Sequence, residues 1–116
     1  MTKQEIISKI NSFMRSYTDS KRNLFYIGIT SDIETRLFGA HKVEETTNEY
    51  VYYRANSEEI AREIEKEFLE LGLDGGDGGG TGNNDVDIVY CFRKMFYTNP
   101  KAKSVYLDNA KWYRHI

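Results

Sequence analysis

A glycine-rich run constrains this chain more than any other feature. Seven of the eleven residues from Gly72 to Gly82 are glycine. Glycine loses more backbone entropy than any other residue when it is ordered in a helix or a strand. We therefore predict that no helix or strand interior crosses this run, which would connect the elements on either side of it.

The residue patterns on both sides of the run predict an alternation of helices and strands. Helical periodicity with capping residues predicts helices over 2–17, 32–41 and 58–71, with Thr2 and Glu5 as a capping box, Ser31 and Ser57 as N-caps and Gly72 just after the last helix. Aromatic and β-branched residues predict strands over 24–29, 50–55 and 86–93. On this pattern alone the fold class is α+β or α/β.

Length and composition limit the class of protein. The chain has 116 residues, which predicts a single domain with an N-terminal helix over 1–17, a core over 23–94 and a basic, aromatic tail over 95–116 docked on that core. No apolar run reaches the roughly 20 residues that cross a bilayer, and the first residues lack a signal-peptide core. The lone Cys91 cannot form an internal disulfide. We expect an intracellular, cytoplasmic protein that does not bind membranes.

Charge is distributed unevenly along the chain. The formal net charge is −2, but residues 43–77 hold eleven acids and three bases, whereas residues 92–116 hold six bases and one acid. Such a surface can present one basic face to a nucleic acid. A solvated acidic helix beside a basic tail explains the same pattern.

The first predicted strand and the helix after it carry side chains suited to binding an anion. Alternation along the strand places Tyr26 and Gly28 on one face, where Tyr26 is available above a glycine that lets another group approach closely. Arg36 and His41 lie on the helix that follows. A phenol, a guanidinium and an imidazole would then converge on one phosphate, with the Arg36 fork as the main ligand. A surface arginine and a helix-terminal histidine interacting with the helix dipole are the simpler interpretation.

The segment FYIGITSDIETRL resembles the YIG segment of the GIY-YIG nuclease family, in which a Tyr-Ile-Gly strand leads into a helix that bears an arginine. The offset of ten residues from Tyr26 to Arg36 matches the pattern of that family. The later segment AREIEKEFLELGLDGGDGGG resembles its next block, a helix with an acidic metal ligand. The resemblance spans about residues 23–94 and implies an α+β fold with a small three-stranded antiparallel sheet flanked by helices.

The resemblance implies that Glu65 binds one Mg²⁺ ion. The family places this glutamate three residues before a large apolar position, and Glu65 precedes Phe68 by that interval. On a helical wheel Glu65 lies at the edge of the buried face, whereas Glu63, Glu67 and Glu70 lie towards the polar side. A carboxylate at such a boundary is a suitable oxygen ligand for Mg²⁺. An ordinary boundary glutamate is the alternative.

The GIY strand of the family is missing at its usual place before Tyr26. The stretch SFMRSYTDSK stands there and reads as the end of a helix, with Tyr17 as the only nearby tyrosine. The strand IVYCF over 88–92 is a candidate replacement, with Tyr90 in the tyrosine position. Because the edge of an antiparallel sheet can be filled from either end of a chain, we predict a circularly rearranged GIY-YIG-like fold.

Further nucleic-acid contacts are expected from the glycine-rich run and the tail. The run lacks the Lys-Ser/Thr ending of a P-loop and follows a helix, so we expect no nucleotide cofactor. Asn83 or Asn84 would fill the asparagine position of the family. Gly28 would allow close approach of the ligand, and the tail would contribute four cations, Lys101, Lys103, Lys111 and Arg114, interleaved with aromatic residues that can stack on bases.

Two functions are compatible with these observations. The first is a metal-dependent endonuclease in which Tyr26 or Tyr90 orients or deprotonates water, Arg36 stabilises charge on phosphorus and His41 relays protons. The second is a catalytically degenerate module on the same fold that binds nucleic acid or a protein. The sequence does not determine whether the substrate is DNA or RNA, whether the site is catalytically active, or what the oligomeric state is.

Overall fold

The computed structural model describes residues 1–47, 49–76 and 86–100. In that part of the chain the secondary structure consists of two α-helices, a 3₁₀ turn, a π-helix and four strands, so the fold class is α+β. In chain order these are α1 (Lys3–Arg15), the 3₁₀ turn (Arg22–Leu24), β1 (Phe25–Thr30), the π-helix (Glu34–Ala40), β2 (Tyr50–Arg54), α2 (Glu58–Glu70), β3 (Asp74–Gly75) and β4 (Ile88–Arg93).

The described strands form one mixed sheet in the order β2-β4-β1-β3. The three predicted strands are present, each bound within two residues of its prediction, and β4 pairs antiparallel with both β1 and β2. However, β3 adds to the other edge of β1 in parallel orientation. The prediction of a purely antiparallel sheet of three strands is therefore not confirmed.

The short strand β3, of two residues, lies inside the glycine-rich run, where we predicted no strand interior. Gly75 adopts φ +152°, and a Cβ atom at this position would lie 2.4 Å from the carbonyl oxygen of Ile27 on β1. The Asp74 carboxylate accepts hydrogen bonds from the Gly75 N–H at 2.8 Å and from Lys94 Nζ at 3.1 Å. Strand β3 has no interior residues, so it does not contradict the prediction from backbone entropy, and it is a glycine that allows the backbone of the run to approach β1 so closely.

Local sequence signals fix the ends of both α-helices as predicted. At α1, the Glu5 N–H donates to Thr2 Oγ1 at 3.2 Å and the Thr2 N–H donates to Glu5 Oε1 at 2.8 Å, which completes the capping box. At α2, Ser57 Oγ accepts a hydrogen bond from the Ile60 N–H at 3.1 Å. Gly72 follows α2 with φ +109°, as expected for a residue that ends a helix.

The helix predicted over 32–41 is a π-helix instead of an α-helix. The His41 N–H donates to the Arg36 carbonyl five residues earlier, at 3.0 Å. We predicted Ser31 as its N-cap, but the residue before the π-helix is Ile33, which makes no capping side-chain hydrogen bond. The nearby Asp32 Oδ1 accepts a hydrogen bond from the Thr35 N–H at 3.3 Å. Isolated π-helical turns are rare and occur frequently at functional sites.

Both faces of the sheet are covered. Helices α1 and α2 pack on the face formed by Phe25, Ile27 and Ile29 of β1, and they form the larger apolar core there. On the opposite face a smaller core contains Tyr26 of β1 and Leu37 of the π-helix. Tyr26 is only 3% exposed, so the prediction that its face of β1 would be open was wrong.

No helix in the described ranges is both long and apolar enough to span a membrane.

The contact between β3 and β1 gives a stability prediction at Gly75. We expect Gly75→Ala to lower the free energy of unfolding more than Gly76→Ala does, measured by urea denaturation. Gly76 shares a positive φ of +118° but a Cβ atom there meets nothing within 4 Å, so its substitution carries only the cost of the left-handed backbone, about 1–2 kcal/mol. Equal losses in the two variants would contradict the constraint at position 75.

Candidate functional site

Gly28 on β1 lies directly opposite Tyr90 on β4 in the antiparallel register. A Cβ atom at Gly28 would lie 2.4 Å from both Cζ and the hydroxyl oxygen of Tyr90. The Tyr90 ring therefore crosses β1 at the one position without a side chain. The close approach that we predicted Gly28 would offer to a ligand is occupied by Tyr90.

The Tyr90 hydroxyl is the centre of a buried hydrogen-bonded cluster. It lies 2.8 Å from His41 Nε2 and accepts a hydrogen bond from Arg36 Nε at 3.3 Å. His41 Nδ1 lies 2.8 Å from the Asn99 carbonyl oxygen. Tyr90 and His41 are both fully buried.

The partners of a neutral His41 ring determine the direction of these hydrogen bonds. A carbonyl oxygen can only accept, so His41 Nδ1 carries a proton and donates it to Asn99. In the neutral imidazole Nε2 is then an acceptor, and the Tyr90 hydroxyl donates to it. Since the same hydroxyl accepts from Arg36, the chain of hydrogen bonds runs from Arg36 through Tyr90 and His41 to the backbone of Asn99.

Tyr26 closes the cluster on the β1 side. Its ring centroid lies 4.7 Å from that of His41 and 6.2 Å from that of Tyr90, to which it is stacked. Its phenol also makes a hydrogen bond with the Arg36 side chain. Arg36 is therefore held by two phenols from neighbouring strands.

Burial and neighbouring charges set the protonation of the cluster. Burial, followed by the proximity of Tyr26, raises the pKa of the Tyr90 phenol well above its usual value, and the opposing effect of Arg36 is smaller. Burial alone lowers the pKa of the Arg36 guanidinium, but its interactions with Tyr90 and Tyr26 raise it overall. At neutral pH the cluster thus contains a neutral phenol at Tyr90 and a cation at Arg36.

Glu65 on α2 is a half-buried carboxylate with a raised pKa. Burial is the main cause, and Arg62 offsets part of it. The charge of Glu65 also raises the pKa of the Tyr90 phenol, so its carboxylate lies within electrostatic range of the cluster. Among the described residues no hydrogen bond or ion pair satisfies this carboxylate, whereas Glu63 and Glu67 both pair with Lys3.

A half-buried carboxylate without a hydrogen-bond or ion-pair partner can serve as a ligand for a cation. The described ranges contain no group of three or more His, Cys, Asp or Glu side chains arranged to bind a metal ion. Mg²⁺ does not need such a group, because it commonly binds one or two carboxylates and completes its shell with waters and substrate phosphates. Glu65 fits that mode of binding as a single protein ligand.

The structure thus brings together five of the predicted site residues, whereas Glu65 affects the cluster only as the smallest contribution to the raised pKa of Tyr90. Tyr26, Gly28, Arg36, His41 and Tyr90 form the cluster. The remaining five, Asn83, Lys101, Lys103, Lys111 and Arg114, lie outside the described residues, as does Asn84. The alternative tyrosine, Tyr17, packs against Phe13 and Phe25 in the opposite layer.

Asn99 was not predicted from the sequence. Its N–H donates to the His41 carbonyl at 2.6 Å while its own carbonyl accepts from the His41 ring, and it is 4% exposed. Both contacts use the backbone, so the side-chain type gave no signal. Its position before Pro100, the only proline, indicates a non-helical backbone but no partner.

The hydrogen bonds of Tyr90 give a prediction for Tyr90→Phe. We expect this variant to lose about 1–3 kcal/mol of stability, because His41 Nε2 would remain buried without a donor. Tyr53→Phe is the matched control, since Tyr53 on β2 is partly buried and no hydrogen bond to its hydroxyl is found in the described ranges. Urea denaturation of both variants measures the difference. Indistinguishable losses would show that the Tyr90 hydroxyl does not hold the cluster together.

The raised pKa of Glu65 predicts how Glu65→Gln changes stability with pH. A raised pKa in the folded state stabilises the fold below the unfolded value of 4.5, and this stabilisation is lost as pH rises through the folded value. The variant should therefore be more stable than the parent at pH 7, with an advantage that shrinks below pH 4.5.

Glu59→Gln is the control for that comparison. Glu59 is exposed in the first turn of α2, where its charge favours the helix. Its loss should slightly lower stability at pH 7. Thermal denaturation at pH 7 and at pH 4 measures both variants, and a Glu65→Gln protein less stable than the parent at pH 7 would contradict the assigned effect of burial.

Comparison of the chain with protein-family models, with curated proteins and with solved structures finds no match. The evidence for a function is therefore the geometry of the cluster around Tyr90 and of Glu65.

Proposed function

We propose that this protein is a GIY-YIG-like, metal-dependent endonuclease that hydrolyses phosphodiester bonds in nucleic acid. The observation that carries the proposal is the convergence of Tyr26, Arg36, His41 and Tyr90 above Gly28. In this proposal the fold is a circularly rearranged relative of the family, in which β4 takes the place of the GIY strand and Tyr90 that of its tyrosine.

The proposed role of Arg36 is to stabilise charge on the phosphate. Arginine offers a planar fork that matches phosphate oxygens. Two phenols hold this guanidinium, so less of its conformational freedom is lost when an anion binds. As water attacks phosphorus and the leaving oxygen departs, the developing negative charge would face a cation that is already oriented.

Tyr90 and His41 act as positioning residues in this proposal. Both are fully buried, and the raised pKa of the Tyr90 phenol keeps it protonated at neutral pH, so it is not available as a general base. Their task would be to hold Arg36 through the hydrogen-bonded chain that ends at Asn99. Tyr26 is the phenol assigned to orient the attacking water.

Glu65 would hold one Mg²⁺ ion. The bound ion would supply charge stabilisation at the phosphate and at the leaving oxygen. The support for this assignment is the unsatisfied, half-buried carboxylate within electrostatic range of Tyr90.

Burial of the cluster favours a second candidate function. Tyr26, His41 and Tyr90 are at most 3% exposed. Of the proposed site residues, Arg36 and Glu65 are partly exposed to solvent. A catalytically degenerate module on the same fold would keep Arg36 for binding nucleic acid or a protein partner without hydrolysis.

Cleavage of labelled DNA and RNA with Mg²⁺ tests the proposal. We expect Arg36→Lys and Glu65→Gln each to reduce the cleavage rate by about 10²–10³-fold, which is typical when one stabilising group of a transition state is removed. Arg54→Lys and Glu59→Gln are the controls, since Arg54 is exposed in an ion pair with Asp87 at the end of β2. The controls should cleave at the parental rate.

The outcomes separate the two candidate functions. Binding of nucleic acid by the parent protein with no Mg²⁺-dependent cleavage would reject the nuclease and support the binding module. Cleavage that survives in both Arg36→Lys and Glu65→Gln would reject the assignment of the site.

A further inference from the structure

A cavity of about 490 Å³ lies between the last turns of α1 and the 3₁₀ turn that precedes β1. Three cationic side chains line it: Arg15 from α1, and Lys21 and Arg22 from the start of the turn. Two amides, Asn11 and Asn23, also line it, and no carboxylate does among the described residues. The cavity is thus a concentration of positive charge in a chain whose formal net charge is −2.

The cations of this cavity make no ion pair in the described part of the chain, as is also true of the exposed Lys9 and Lys66. Elsewhere Lys3, Arg54, Arg62 and Lys94 each pair with a carboxylate. In the described part of the chain Lys21 and Arg22 form no ion pair, and the Arg15 guanidinium contacts only the Ser12 hydroxyl, at 3.5 Å. The neighbouring acid, Asp19, uses its carboxylate to accept the Lys21 backbone N–H at 3.3 Å.

Helix electrostatics explain only one of the three cations. Arg15 lies in the last turn of α1, where a positive charge is favoured by the helix dipole. Lys21 and Arg22 lie beyond that helix, and a turn of three residues provides no comparable dipole. All three side chains are exposed to solvent, which screens their mutual repulsion, and an anion in the cavity would be attracted by all three.

The composition of the cavity identifies the class of anion. Arginine forks and amide N–H groups are donors suited to phosphate oxygens. The volume lies within the range of about 300–1,000 Å³ that is typical of ligand sites, and it exceeds what a bare phosphate fills. None of the described residues that line it is aromatic, so bases have no stacking surface there. A sugar-phosphate backbone fits these features.

The cavity is joined to the proposed active site by β1, although α1, which lines the cavity, packs on the face of the sheet opposite the Tyr90 cluster. Arg22 precedes Gly28 by six residues, which span at most roughly 20 Å. A duplex carries one phosphate per strand about every 3.4 Å along its axis, so that distance corresponds to roughly six nucleotides.

We propose that the cavity lined by Arg15, Lys21 and Arg22 binds the phosphodiester backbone of a nucleic acid, outside the site at Arg36. This proposal rests on the proposed function in its choice of ligand. In this proposal the cavity helps to bind and position the nucleic acid. It takes no part in the chemical step.

The salt dependence of duplex binding by the full chain tests the proposal. Lys21→Gln/Arg22→Gln is compared with Lys9→Gln/Lys66→Gln, which removes the same charge from positions outside the cavity. We expect the first variant to reduce the slope of log K against log salt by roughly 0.9 for each phosphate that the protein no longer neutralises, and the control to leave it unchanged. At saturating protein, the single-turnover cleavage rate should match the parent in both variants.

Failure of this proposal is distinguishable from failure of the proposed function. If the parent binds duplex without cleaving it, the nuclease is rejected, and the slope still decides the role of the cavity. Equal slopes in the two variants, or no duplex binding by the parent at low salt, would overturn the proposal. Titration with inorganic phosphate, followed by NMR at the Arg22 and Asn23 amides, provides a second arm. Phosphate binding with an unchanged duplex slope would identify a small-anion site instead and would also overturn it.

Discussion

The candidate site depends on the missing side chain at Gly28. Only a glycine at this position lets the Tyr90 ring cross β1, because a Cβ atom would lie 2.4 Å from its hydroxyl oxygen. From there the hydroxyl reaches His41 and Arg36, which belong to the segment that follows β1. The pairing of Gly28 with Tyr90 in the register of β1 and β4 therefore determines where the Tyr90 hydroxyl lies, and this hydroxyl holds the guanidinium of Arg36. Any residue larger than glycine would displace the phenol and the two groups attached to it.

The π-helix completes this arrangement from the other side. Its wider turn closes the His41 N–H onto the carbonyl of Arg36, so the two residues that contact Tyr90 are also joined through their backbones. His41 is in turn held by both backbone groups of Asn99. Every polar atom of the His41 ring and the Tyr90 hydroxyl then has a partner, which is the condition under which burying such a network is tolerated.

Local signals made much of this fold predictable, whereas long-range contacts were not. Periodicity and caps located α1, α2 and the three longer strands, because a capping box or an alternating pattern depends on residues a few positions apart. The spacing from Tyr26 to Arg36 likewise placed both near one strand end. Strand β3 escaped prediction because it depends on the close approach of Gly75 to Ile27. Asn99 was not predicted because it acts through its backbone. The choice of Tyr90 over Tyr17 depends on the register of β1 and β4, which only the folded sheet defines.

The electrostatics of the fold divide its polar groups into two kinds. The chain from Arg36 to Asn99 is satisfied internally and therefore stabilises a fixed geometry. Glu65 and the cations Lys21 and Arg22 make no ion pair in the described part of the chain, but Glu65 is half-buried, whereas Lys21 and Arg22 are exposed to solvent. A half-buried charge without a partner lowers stability, whereas an exposed charge is solvated by water. On the proposed function, a cation at Glu65 would offset that cost, and phosphates would bind at Arg36 and at the basic cavity.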